Sequence, residues 1–447
     1  MKFRMTLLGI LIMTVLGCIL SKEVVIAQED IRIYTLETSI SEAIANNWGI
    51  KARRERIEEA GFVMEQAKAD FYPKFSTSYG YTRLDEQNES SPIPLGAGLT
   101  IPGTKLNSKD NYQWKTTLSQ PIFTGFALTS AYELARLGVD QSRTDFRLAE
   151  LDLALQVKEA YFNILIADKA VEVAGKEVES LTSNVKVARS FYNVGMIPIN
   201  DLLKAEVELA NAKQNLVKTQ NAARATRSVF NTVLSRQVNT PAEVKDILAY
   251  SQEIGCYETY FERAIENRPE IKLIDIALLQ ADQQIRLAKS KYYPEVALNY
   301  DYIKAGDSPD VSGSEFHDAN EWQATAVLSW TFWEWGKTGS AAREKESLKR
   351  QLLYDKSALS DNIALEIKQS LLDLEVAIKN IPTTEKAVEQ GEENLRVSEE
   401  RYKAQVTTIT EVLDAQTLLT RARVNYYRAL YDQHLAKARL LRALGEY

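Results

Sequence analysis

Two carboxylates, Glu411 and Asp414, lie three residues apart in the stretch "RYKAQVTTITEVLDAQTLLTRA", which begins at Arg401. The pattern of this stretch is helical, and a spacing of three places both carboxylates on one face of a helix. In the first turn of a helix, acids complement the positive end of the helix dipole. Grouped around a narrow opening, the same acids would attract cations and repel anions. The two residues alone leave both interpretations open.

Residue types that catalysis and metal binding require are scarce in this chain. Its 447 residues include two histidines, His317 and His434, and two cysteines. The sequence has no G-x-S-x-G motif, no P-loop and no Cys–His cluster. We therefore expect a protein that is not an enzyme and that holds no cofactor or metal. A formal net charge of −7 argues against nucleic acid as a partner.

A second stretch, "SFYNVGMIPINDLLKAEVELANA", has the same shape as the first and begins at Ser190. The matched positions, 210 residues apart, share a tyrosine, an acid and an alanine: Tyr192 and Tyr402, Asp201 and Glu411, Ala205 and Ala415. The match is not complete in charge, because Lys204 stands where the other stretch has Asp414. The pairing nevertheless indicates that the chain was built by duplication.

The duplication extends over most of the chain. The stretches "AKADFYPKFSTSYGYTR" from Ala67 and "AKSKYYPEVALNYDYIK" from Ala288 match at an offset of 221. Two repeats are therefore predicted, residues 28–238 and residues 239–447, each with a helix, two strands and a long helical hairpin. The predicted segments are helices at 39–69 and 257–290, strands at about 71–84, 112–123, 292–304 and 321–333, and hairpins at 130–235 and 340–444.

The four predicted strands alternate apolar and polar residues. In the first of them, Phe75 and Tyr79 share one face, and Ser76 and Ser78 share the other. Each run has about the 9 to 11 residues of a tilted membrane strand, with aromatic residues near its ends. A half-buried soluble sheet alternates in the same way. If the strands cross a membrane, four are too few to close a barrel, so the chain must oligomerise, with loops 85–110 and 305–320 outside.

The long helices are predicted to be rods that turn back at short breaks. About 60 residues from 130 to 191 give a rod on the order of 90 Å. At the first break, Gly195 tolerates the left-handed conformation that ends a helix, and Pro198 suits the start of the next one. We expect Asn200 or Asp201 to cap that next helix. The second break has Gln405 in place of the glycine and is rich in threonine.

The N-terminal 27 residues have the pattern of a secretory signal peptide. Basic residues precede an apolar run, and cleavage after Ala27 would leave Cys256 as the only cysteine of the mature protein. An uncleaved membrane anchor is the alternative, but the apolar run is shorter than a spanning helix needs. The residues before Cys18 also look like a lipoprotein processing box, which would make Cys18 a lipidated N-terminus.

The signal peptide, the duplicated helix–strand–strand–helix units and the pattern "RSFYNVGMIPINDLLKAEVEL" together resemble the TolC family of outer membrane factors. The resemblance implies an α+β membrane protein in which a homotrimer forms a 12-stranded outer-membrane barrel, continued by a periplasmic α-helical coiled-coil barrel. It also implies the passive exit duct of a tripartite efflux or type I secretion system. Its partners would be outer-membrane lipid, a periplasmic adaptor (membrane fusion) protein and an inner-membrane pump of RND or ABC type. The alternative from another class is a secreted coiled-coil structural or adhesive protein.

The resemblance also implies a gate at the periplasmic end of the tunnel. Tyr402, Glu411 and Asp414 match the family's tyrosine and two acids, and Asp201 matches the acid of the first hairpin. Thr407 stands where the family has an arginine, so hydrogen bonds from Asp201 to Tyr402 or Thr407 are expected instead of a salt bridge. In a trimer, Glu411 and Asp414 would form a ring of six carboxylates. The residues expected to dock an adaptor are those of the breaks: Asn193, Val194, Gly195, Met196, Ile197, Ala404, Gln405, Val406 and Thr408.

Overall fold

The computed structural model describes residues 33–96, 99–247 and 255–447. The predicted signal peptide and Cys18 lie outside these residues. The helices described are α1 Leu36–Asn46, α2 Trp48–Ala69, α3 Ala127–Asn193, α4 Ile199–Val233, α5 Tyr257–Asn267, α6 Pro269–Lys289, α7 Lys337–Lys403 and α8 Ile409–Ala443. The strands described are β1 Ile33–Tyr34, β2 Lys74–Arg83, β3 Ile93–Gly96, β4 Leu99–Ile101, β5 Asp110–Thr124, β6 Glu243–Val244, β7 Glu295–Gly306 and β8 Asn320–Ser329.

The bounds of the helices agree between the two copies to within one residue. Helices α7 and α8 begin and end 210 positions after α3 and α4, and α5 begins and ends 221 positions after α1. Helices α3 and α7 each have 67 residues, so each is a rod of about 100 Å at 1.5 Å per residue. Each long helix turns back into a 35-residue helix, α4 or α8.

The helix predicted before the strands of each copy is broken into two. At the first break, the Asn47 side chain accepts hydrogen bonds from the backbone N–H groups of Gly49 and Ile50, and its amide donates to the Val233 carbonyl at 3.0 Å. At the second break, α6 begins with Pro269, which has no N–H to continue α5. Prediction of one helix per copy was therefore wrong, because a capping side chain and a proline end the first helix of each pair.

Four strands form one antiparallel sheet in the order β2-β5-β7-β8. Within the copies, Phe75 lies opposite Leu118 and Val296 lies opposite Leu328. The two copies are joined by β5 and β7, where Leu118 also lies opposite Tyr300. All four predicted strands are present with shifted ends. The third begins at Glu295 after a turn of 3-10 helix, and the fourth ends at Ser329.

The two faces of the sheet differ in polarity as the alternation predicts. The face of Phe75, Leu118 and Tyr300 is apolar and rich in aromatic rings. On the opposite face, Lys115 forms an ion pair with Asp301 at 3.1 Å, and other hydroxyl and amide groups surround it. A bulge in β5 between Pro121 and Phe123 shifts the register, so that Phe123 rather than Ile122 lies opposite a β7 residue on the apolar face.

The main core lies near the middle of α3. There the buried Tyr161 hydroxyl donates to the carbonyls of Tyr34 and Lys245, which tie the short parallel pair β1–β6 to the long helix. Phe230 of α4 closes the same cluster. No helix in the described part of the chain is both long and apolar enough to cross a bilayer.

Candidate functional site at the helical tips

The tips of the two hairpins are matching five-residue turns, residues 194–198 and 404–408. In the first turn the Met196 N–H donates to the Phe191 carbonyl at 2.9 Å, and in the second the Val406 N–H donates to the Arg401 carbonyl at 2.9 Å. These bonds span the end of each long helix and satisfy carbonyls that helix termination leaves free. The tips therefore have a fixed backbone, although they lie about 100 Å from the start of α3.

A left-handed residue makes each turn possible. Gly195 has φ of 75°, as predicted, and Gln405 adopts the same conformation at 62° despite its Cβ. Helix α4 begins after Pro198, which occupies the capping position and makes no side-chain cap hydrogen bond. The expectation that Asn200 or Asp201 caps α4 was therefore wrong, since both residues lie within its first turn.

The tips expose apolar side chains. Val194, Met196 and Val406 are 69%, 53% and 67% exposed. An isolated exposed apolar residue is ordinary on a protein surface, but these three are grouped at the ends of the hairpins. Such a surface is typical of a site that binds another protein.

The two matched tyrosines have different environments. Tyr192 is 40% exposed, whereas Tyr402 is 4% exposed and packs edge-to-face against Phe191 of the other hairpin at 5.6 Å between ring centroids. The Tyr402 hydroxyl has no hydrogen-bond partner among the described residues. Burial, together with the negative charge of Asp201, raises the pKa of Tyr402. Tyr402 thus joins the hairpins by packing and not by a hydrogen bond within the chain.

Glu411 is held by its own hairpin. Arg401 forms an ion pair with one Glu411 oxygen at 2.8 Å, and the Thr407 hydroxyl donates to the other oxygen. The expected hydrogen bond from Asp201 to Tyr402 or Thr407 is therefore not formed within one chain. Sequence reasoning missed Arg401, because it lies six residues before the position where the family has its arginine. An arginine one helical turn from the break was the available signal.

The acids of the two hairpins meet across a groove of about 710 Å³. Asp201, Lys204 and Asp414 line this groove together with Thr410. The Lys204 ammonium lies 3.9 Å from an Asp201 oxygen and 3.5 Å from the Thr410 hydroxyl. In the described part of the chain Asp414 forms no ion pair, so its charge faces the groove uncompensated by a direct contact.

Groups suited to chemistry are dispersed elsewhere in the described residues. No three His, Cys, Asp or Glu side chains among them are placed to hold a metal ion. Cys256 is exposed. What the site offers is a pair of helical tips with apolar ends and a charged groove between them.

The chain combines a sheet that has one apolar and one polar face with two helices of about 100 Å. This combination is typical of outer-membrane ducts with periplasmic helices. Residues 39–229 and 261–446 match the outer membrane efflux protein family. The chain belongs to this family. It is accordingly an outer-membrane exit duct of an efflux or secretion system, with its helices in the periplasm. The match leaves the structural or adhesive alternative without support.

Curated relatives agree with this assignment over nearly the whole chain. The outer membrane protein TolC of Vibrio cholerae is 22% identical over 403 residues, which cover 89% of this chain and 86% of that protein. The cobalt-zinc-cadmium resistance protein CzcC of Cupriavidus metallidurans is 22% identical over 416 residues, which cover 92% and 90%. The solved outer membrane channel CmeC of Campylobacter jejuni has the same fold, with a TM-score of 0.78, 15% identity and coverage of 92% and 85%.

Proposed function

We propose that three copies of the chain close a 12-stranded barrel in the outer membrane and extend it as a helical tunnel through the periplasm. The observation that carries this proposal is the sheet with two free edges. Among the described residues β2 pairs only with β5, and β8 pairs only with β7. All residues of β2 and β8 are exposed. Free strand edges pair readily, and a barrel removes them.

The polarity of the sheet supports conduction through the barrel. Its aromatic face suits lipid, and its polar face suits a water-filled interior. Conduction through such a duct is passive. The sequence has no P-loop, the motif with which many proteins bind and hydrolyse a nucleoside triphosphate. Energy is supplied by an inner-membrane pump of RND or ABC type.

The turns 194–198 and 404–408 dock a periplasmic adaptor, and the gate lies beside them, where α7, α4 and α8 meet. Exposed Val194, Met196 and Val406 provide the apolar contacts for docking. The gate consists of Asp201, Tyr402, Thr407, Glu411 and Asp414, with Arg401 in place of the family's arginine. Docking separates the two hairpins, and thereby moves Tyr402 away from Phe191.

The oligomeric state tests the barrel. The mature protein should require detergent for extraction from membranes and sediment as a trimer in analytical ultracentrifugation. Reconstituted in planar bilayers, it should give ion conductance. A monomer that is soluble without detergent would exclude the barrel.

The docking surface is tested by crosslinking in cells. In a Cys256→Ser background, Val194→Cys and Val406→Cys should each crosslink to the adaptor through a bifunctional thiol reagent. Glu86→Cys, in the loop between β2 and β5, is the matched control and should give no adaptor adduct. Adducts from the loop and none from the tips would reverse the proposed orientation.

A further inference from the structure

A cavity of about 610 Å³ lies where the two copies of the chain meet along the helices. Helix α3 of the first copy lines one side, and the junction of α5 with α6 and the residues that follow α8 line the other. The cavity is separated from the tips by about 70 Å of helix α3. Its volume falls within the range of about 300 to 1,000 Å³ that small-molecule pockets have. Three of its lining residues are cations: Arg143, Arg147 and Lys272.

The charges of these cations are only weakly compensated by ion pairs. The Arg143 guanidinium lies 3.7 Å from Asp140, and the Arg147 guanidinium lies 3.4 Å from Glu150. Both acids belong to α3, and neither of them lines the cavity. Lys272 forms no ion pair with any described residue. The cavity therefore retains a positive electrostatic potential, although the chain as a whole is acidic.

The carboxylate that does line the cavity is already bound by another arginine. Both Glu446 oxygens accept hydrogen bonds from Arg263 at 2.7 Å. The next residue, Tyr447, fixes one of the cations in place. The Arg147 guanidinium stacks on the Tyr447 ring at 4.8 Å from its centroid and donates to the Tyr447 hydroxyl at 3.2 Å. A cation that is held in this way loses little conformational entropy when it binds a ligand.

Comparison of the two copies shows that the long helix does not need these arginines in order to fold. Under the offset of 210, Arg143 corresponds to Leu353, and Arg147 corresponds to Ser357. Helix α7 is continuous through both positions and has the same length as α3. The arginines are therefore a property of one copy, and the helical repeat gives no structural reason for them.

We propose that this cavity binds a small molecule through a phosphate or carboxylate group. Arg143 and Arg147 are one helical turn apart, so both can present their guanidinium groups to one ligand. A guanidinium binds either kind of oxyanion through two parallel hydrogen bonds. Lys272 supplies a third positive charge from the other side, and the Asn267 amide can donate further hydrogen bonds. The site lies within one chain and is separate from the gate and the docking surface, so it goes beyond the proposed duct.

Isothermal titration calorimetry tests the site in the purified full chain in detergent. Inorganic phosphate and succinate are titrated separately at low salt. We expect saturable binding at one site per chain, which weakens as sodium chloride is added. Combining Arg143→Gln with Lys272→Gln should weaken binding about tenfold, because two charged hydrogen-bond donors are lost. The anion that binds more tightly identifies whether the site recognises a phosphate or a carboxylate.

Two matched variants serve as controls. Lys51→Gln removes the lysine that corresponds to Lys272 in the first copy, and Arg136→Gln removes an exposed arginine two turns before Arg143. Both variants should bind the anions as wild type does, and circular dichroism should show that all the variants are folded. Equal weakening in the controls would show that the anions respond only to overall charge and would overturn the inference.

The remaining outcomes separate this inference from the proposed duct. Absence of saturable binding of both anions, or unchanged binding in the double variant, would also overturn the inference. Neither result would affect the duct, because sedimentation as a trimer and conductance in planar bilayers are measured independently of anion binding.

Discussion

At the scale of single residues, Arg401 changes the expected electrostatics of the entrance. Its ion pair and the hydroxyl of Thr407 hold Glu411 within one hairpin. An exposed ion pair contributes little to the stability of the fold. It nevertheless weakens the negative electrostatic potential that the carboxylate produces in the opening. Asp414 lies in the groove with no ion pair among the described residues. The ring of six carboxylates is therefore expected to act mainly through three copies of Asp414.

This difference predicts unequal effects of two neutral substitutions on ion selectivity. In planar bilayers under a salt gradient, wild-type protein should prefer cations. Asp414→Asn should remove most of that preference, whereas Glu411→Gln should change the reversal potential by less than a third as much. Arg401→Gln should increase the preference, because it frees the charge of Glu411. Equal shifts for the two acids would refute the pairing, and no shift in either would show that the acids only complement their helix dipoles.

At the scale of elements, the junction between α5 and α6 depends on buried charges. Arg268 is 4% exposed, and its guanidinium donates to Glu270 at 2.9 Å and contacts Glu366 at 2.5 Å. Arg442 of α8 also contacts Glu270 at 2.9 Å. Although burial alone raises the pKa of Glu270, the hydrogen bonds and charges of these arginines lower it to about 2. In the first copy Asn47 forms the same junction without charge.

Stability should therefore fall with acid through Glu270. A carboxylate whose pKa is lowered on folding contributes its full stability above its unfolded pKa, about 4.5. That contribution, on the order of 3 kcal/mol, is lost as the pH falls from 4.5 toward 2. Thermal unfolding, followed by circular dichroism in detergent, should show Glu270→Gln less stable than wild type at pH 7, with the gap narrowing below pH 4.5.

Glu266→Gln is the matched control for this titration. Glu266 lies on the exposed surface of α5, so its substitution should leave the melting temperature unchanged at each pH. A gap between wild type and Glu270→Gln that stays constant from pH 7 to pH 2.5 would contradict the role of its charge. Such a result would assign the effect of the substitution to packing alone.

At the scale of the whole molecule, the fold separates two kinds of surface. The loops between β2 and β5 and between β7 and β8 lie at the ends of strands that point away from the helices. The tips lie at the other end, about 100 Å of helix away. The proposed barrel, with its helices in the periplasm, predicts that these loops face outside and that the tips face the periplasm.

The two ends should differ in their access to reagents. In intact cells, a membrane-impermeant maleimide should label Glu86→Cys in a Cys256→Ser background. Val194→Cys, exposed at a tip, should be labelled only after the outer membrane is permeabilised. Labelling of the tip variant in intact cells would show that the helices project outside. The Cys256→Ser parent, treated with the same maleimide, measures the background labelling.

Features set by local pattern could be predicted from the sequence. Alternation of apolar and polar residues predicts the four strands and their two faces, because a side chain in a strand points to one face or the other by its position alone. Duplication predicts two copies with the same order of elements. Gly195 predicts the left-handed residue of the first turn, because this conformation is favourable for a residue without Cβ.

Other features were decided by contacts between residues distant in the chain. Tyr192 and Tyr402 occupy equivalent positions, yet only Tyr402 is buried, because Phe191 of the other hairpin packs against it. The pairing of Arg401 with Glu411 depends on how the turn brings two helices together. No periodicity within one segment encodes which neighbour will cover it. The sequence by itself therefore determined the elements and their repetition, and the tertiary structure decided which of two equivalent faces is covered, because burial depends on the neighbouring element and not on the residue's own segment.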